Sequence, residues 1–83
     1  MNNHDNLIRM ANRIGSFFEA YPDKDEAREG IANHIEKFWE PRMRNQLLAF
    51  LDRYPGGVNT DGVSLAPIVV DAVGKNIQRL TPA

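Results

Sequence analysis

The sequence predicts an all-α fold, a small compact bundle of three to four helices. Three observations lead there. Apolar residues recur at three- and four-residue steps in four separate stretches. Proline, glycine and capping-type residues punctuate the chain between those stretches. All of this fits in 83 residues without an internal repeat, a low-complexity tract or a linker, so a single helical domain spanning residues 1–83 is expected.

The first helix is expected from about Asp5 to Tyr21, with Asp5 or Asn3 as its cap. Leu7, Met10, Ala11, Ile14, Phe17, Phe18 and Tyr21 form its apolar stripe. Gly15 costs about 1 kcal/mol relative to alanine inside a helix, which points to close approach of another backbone rather than a hinge. Pro22 stops the helix. Asp23 opens the second, with Glu26 three residues on as an Asp variant of the capping box. This helix runs to about Trp39 with Ala27, Ile31, His34, Ile35 and Phe38 inward, and Gly30 suggests a tight crossing.

Glu40-Pro41 is the next boundary, because a residue before proline resists helical geometry and proline suits a first helical turn. The third helix is expected from Pro41 to about Arg53, with Met43, Leu47, Phe50, Leu51 and Tyr54 inward. Pro55-Gly56-Gly57 ends it. Residues 55–64, PGGVNTDGVS, read as the one long loop and the most mobile interior stretch. Ser64 is the expected cap of a fourth helix from Leu65 to about Arg79. Pro67 is tolerable within its first turn. A strand at 68–70 is an alternative for this β-branched run, but the spacing favours helix. Thr81 to Ala83 and the N-terminal tail with His4 are expected to fray.

Composition narrows the function classes. The chain is 42% hydrophobic and 25% charged, which is ordinary for a globular protein. A chain this short buries only about 60–65% of its unfolded surface, so its core is thin. Without cysteine, neither disulfides nor thiolate-bound metals supplement that core. Regular packing or a partner must do so. The net charge of −1 supplies no global field toward nucleic acid or an anionic membrane. Residues 1–5 lack a basic-then-apolar signal pattern, and no apolar run approaches a bilayer span, so a cytoplasmic location is expected. The turn at Pro41 is too tight for a helix-turn-helix.

Catalytic apparatus is missing. The histidines, His4 and His34, lack metal-ligand spacing. Asp23, Asp25, Glu26 and Glu29 surround one helical turn and read as a solvated capping face. The Gly56-Gly57 pair has no following lysine, so it is a helix stop and not a phosphate loop. No catalytic, cofactor or metal residue is therefore predicted.

Two features exceed what a plain bundle needs, beside the open reading of His34. Phe38 and Trp39 differ by about 100° in direction, so both cannot enter one thin core. Either Trp39 closes the turn between helices two and three, or it lies exposed on an interface. Arg42 and Arg44 follow a helix start, either as a solvated basic face or as holders of a carboxylate or phosphate. His34 is either a core-edge residue or a polar contact to a partner.

Two runs carry a resemblance, Arg9-Met10-Ala11-Asn12-Arg13-Ile14-Gly15-Ser16-Phe17-Phe18 and Ile31-Ala32-Asn33-His34-Ile35-Glu36-Lys37-Phe38-Trp39-Glu40-Pro41-Arg42-Met43-Arg44. Together with a weaker likeness at Leu65-Ala66-Pro67-Ile68-Val69, they resemble the delta subunit of soluble NAD-dependent formate dehydrogenases. Glutamine often follows Ala-Asn in that family, where Arg13 stands here. The resemblance implies a parent bacterial enzyme that oxidises formate and reduces NAD. Its catalytic alpha subunit carries a molybdenum (or tungsten) bis-pyranopterin guanine dinucleotide cofactor with iron–sulfur clusters. Beta and gamma subunits carry flavin and further clusters.

This chain can ligate none of those clusters through cysteine. It is expected to be a non-catalytic accessory subunit that binds and stabilises the catalytic alpha subunit within the complex. Arg9, His34, Trp39, Arg42 and Arg44 are the expected partner-binding residues. Two alternatives are a maturation factor that assists cofactor insertion and an unrelated helical interaction module.

Overall fold

The structure is a computed structural model that describes the backbone of residues 3–82 and the side chains of residues 5–82. The described residues form five helices: α1 (Asn3–Glu19), α2 (Lys24–Phe38), α3 (Pro41–Arg53), α4 (Pro67–Gly74) and α5 (Ile77–Leu80). No strand occurs among the described residues, and Val58 and Ser64 form an isolated antiparallel bridge. The radius of gyration, 11.7 Å, is that of a compact chain of this length.

The first three helices follow local signals. α1 starts earlier than expected, so Asn3 and the backbone of His4 are helical and neither Asn3 nor Asp5 is the cap. Met1, Asn2 and Ala83, read as frayed ends, lie outside the described residues. Asp23 caps α2: its carboxylate accepts from the backbone N–H groups of Asp25 (2.9 Å) and Glu26 (3.3 Å). Glu26 makes no bond back, so half of the capping box forms. Pro41 opens α3 behind an extended Glu40.

Packing centres on α2, which lies against α1, α4 and α5. Ile31 and Ile35 are fully buried, and Ala11, Ala27, Ala32 and Ala72 keep the axes close. Gly15 makes room for side chains of α4, not for the backbone expected there. A Cβ there would come within 2.6 Å of a Val69 methyl, so α4 sits where a side chain would be. The Phe18 ring occupies the equivalent space over Gly30. Ile8, Asn12 and Gly15, spaced i, i+4, i+7, make a second covered face on α1 beyond the expected stripe.

The expected fourth helix is two. Pro67 forces Ala66 into extended geometry (φ −57°, ψ 140°), so helix begins only at Pro67 and Ser64 caps nothing. At the far end, the Asn76 side-chain amide donates to the Ala72 carbonyl at 2.7 Å, competing with the helical ladder just after Gly74. The chain turns and resumes as the single turn α5. That turn buries Leu80 and leaves Ile77 53% exposed. Thr81 does not fray among the described residues: its hydroxyl donates to the Ile77 carbonyl at 2.6 Å.

The loop at 55–64 is pinned at several points. Asn59 accepts from the backbone of Asp61 and Val63. Asn12 of α1 donates to the Ser64 carbonyl (3.0 Å) and accepts from the Ala66 N–H (2.7 Å). Gly57 has φ +83°, and a Cβ there would also strike Val70.

Candidate partner-binding surface

The five expected contact residues do not share one environment. Trp39 is 6% exposed and belongs to the core, whereas Phe38, expected inward, is 71% exposed. The physical reason lies at the end of α2. Trp39 is the C-cap with extended backbone (φ −88°, ψ 138°), so the chain leaves the helix there and turns the indole inward. Phe38, the last helical residue, keeps its outward direction. The His34 ring packs on Phe38 at 4.8 Å between centroids and is half-buried.

The two arginines after Pro41 point apart, as residues two apart on a helix must. Arg42 is exposed beside a shallow hollow that also includes Asn6, Leu7, Met10, Met43 and Gln46. Arg44 is half-buried. One of its terminal nitrogens donates to the Leu80 carbonyl at 3.4 Å, while its Nε is buried without a hydrogen-bond partner. The pair thus forms no joint clamp for an anion. Arg9 is exposed on α1.

Other apolar surface was not expected to be surface at all. Phe17 is 66% exposed, and Met10 and Tyr21 are also exposed. The stripe on α1 is wider than the bundle covers: α3 shares its N-terminal half beside Leu7 and Met10, and Phe17 and Tyr21 at the far end stay exposed. There Phe17 meets Phe18 edge-on at 5.0 Å, and Tyr21 lies 5.3 Å from Phe18 and 6.3 Å from Phe17. A separate apolar groove of about 550 Å³ runs between α3 and α4–α5, past Leu48, Leu51, Val70, Val73 and Ile77. No group of three or more His, Asp or Glu side chains among the described residues is placed to hold a metal ion. No helix is long and apolar enough to cross a membrane among the described residues.

Residues 6–73 match the family of the NADH-dependent formate dehydrogenase delta subunit, FdsD. This chain belongs to that family. As a delta subunit, it associates with other subunits of formate dehydrogenase. No curated protein and no solved structure matches it.

Seen on the delta subunit's fold, the first motif divides between inside and outside. Ala11, Asn12 and Gly15 hold α4 and the loop, while Arg9, Arg13 and Phe17 face solvent. Sequence reasoning also missed Arg79. Its guanidinium donates to Glu36 (2.7 Å), Glu29 (2.7 Å) and Asn33 (3.3 Å), fastening α5 to α2. Those hydrogen bonds, first to Glu36 and then to Glu29, raise the Arg79 pKa above its ordinary value. A carboxylate pair at i, i+7 on α2 was the available signal, but its partner lies more than forty residues away in sequence.

Proposed function

We propose that this delta subunit is a non-catalytic accessory subunit that binds the molybdenum-cofactor catalytic subunit and stabilises it. The family match over residues 6–73 is the observation that carries this reading. The surface is in keeping with it: Phe17 and Phe38 stay largely outside a thin core, and large exposed apolar side chains favour interfaces. The mechanism is mass action. A partner that binds only the folded catalytic subunit adds about 2.7 kcal/mol to its stability at a hundredfold excess over Kd.

Co-expression of all formate dehydrogenase subunits with a tag on this chain tests the proposal. The expected result is co-elution in a fixed ratio with formate-dependent NADH formation, and a lower melting temperature of the catalytic subunit when this chain is omitted. Active, equally heat-stable enzyme that does not retain the chain would overturn it and favour a transient role in maturation.

A further inference from the structure

Between Glu19 and Glu29 the sequence places five carboxylates against two cations, although the whole chain carries only −1. The fold pairs only part of that charge. The Lys24 ammonium turns onto the backbone carbonyls of Glu19 (2.6 Å) and Tyr21 (3.3 Å). Arg28 pairs with Asp25, and Arg79 reaches across to Glu29. The carboxylates of Glu19 and Glu26 keep no cation among the described residues.

This acidic end adjoins the exposed aromatic cluster. A hollow of about 610 Å³ has Phe18 and Tyr21 on one side, Asp25, Glu26 and Glu29 on the other, and Gly30 beneath. Phe17 continues the aromatic wall outward. Aromatic faces beside the unpaired Glu26 carboxylate suit one chemistry well. A guanidinium stacks flat on a ring and donates in parallel to a carboxylate, which an ammonium does less well.

We propose that this α1–α2 end docks a basic, arginine-bearing segment of a partner subunit, held between the Phe17–Tyr21 rings and the Glu26 carboxylate. The inference rests on the accessory-subunit reading and names the surface and the partner chemistry. The α3/α4 groove lacks a comparable charge contrast and serves as the control surface.

The test uses the remaining formate dehydrogenase subunits, purified without this chain and immobilised. Wild type, Phe17→Ser, Glu26→Lys and Ile77→Ser are titrated over them, with helical content checked by circular dichroism. All three positions are exposed. Phe17→Ser and Glu26→Lys are expected to bind about tenfold or more weakly, as buried interface anchors do. Ile77→Ser is expected to bind like wild type. Added salt is expected to weaken wild type, which keeps the Glu26 carboxylate, more than it weakens Glu26→Lys, because ion pairing is screened.

Wild-type binding with unchanged Phe17→Ser and Glu26→Lys affinities would overturn the docking surface and leave the accessory reading intact. Loss of binding in Ile77→Ser alone would move the interface to the α3/α4 groove. No binding by wild type would overturn both readings. A dimer of the free chain that Phe17→Ser dissociates, with subunit binding unchanged, would assign the surface to a second copy instead.

Discussion

From Asn3 to Phe38, two helices of 17 and 15 residues meet across a turn whose cap is Asp23, a residue of the turn itself. From Gly57 to Leu80, no helix exceeds eight residues, and beside the local bonds of Asn59 and Asn76 the segment is also held from elsewhere: by Asn12 of α1 and by Glu29, Asn33 and Glu36 of α2. The start of α2 is set by a contact close in sequence, whereas the C-terminal segment also depends on hydrogen bonds 36 to 54 residues distant. Local contacts form at small entropic cost, whereas distant ones depend on the element that supplies them. The C-terminal segment should therefore open while the hairpin persists, and the hairpin should not survive damage to its own core.

Truncating the hairpin core should have the largest effect. Ile35→Ala removes a fully buried side chain and is expected to cost about 2–5 kcal/mol by urea unfolding. A loss well under 1 kcal/mol would mean that α2 is not the centre of stability. Next comes Asn12→Ala, which strands the Ala66 N–H and the Ser64 carbonyl, at about 1–3 kcal/mol. Hydrogen exchange should then show faster amides around residues 57–66 with α2 amides still protected. Equal acceleration in α2 would erase the distinction between the two regions.

Removing the local cap, Asp23→Ala, should cost about 1 kcal/mol, with fraying confined to the first turn of α2 in exchange or NMR measurements. Arg79→Ala should be smallest. Its ion pairs are part-exposed, and such pairs contribute about 0.2–1 kcal/mol each, less in high salt. Because the folded pKa of Arg79 is raised, its contribution is complete below the ordinary arginine range. It is lost only as pH rises through the folded value, so arginine titration adds no pH dependence near neutrality.

Much of the bundle was legible because its signals act within about four residues. Pro41 set the start of α3, Asp23 the start of α2, and the 3.6-residue period identified the helices. The break after Gly74 was hidden because it needs Asn76 to turn back onto Ala72, a choice that a helix-period pattern does not display. The contact surface was less legible. Phe38 and Trp39 are adjacent aromatic residues, and periodicity shows that they diverge without showing which one enters the core. Phe17 fits the apolar stripe of α1, yet its side chain stays 66% exposed while the adjacent Phe18 packs over Gly30.

By itself, then, the sequence determined an all-α chain with its first three helices and, through its two motif runs, its kinship with delta subunits. Tertiary structure decided which apolar side chains became surface, where Arg44 and Arg79 bind, and how the acidic and aromatic ends of α1 and α2 meet. Caps and periodicity are properties of neighbouring residues on one chain. Exposure is a property of what arrives from the other side of the bundle.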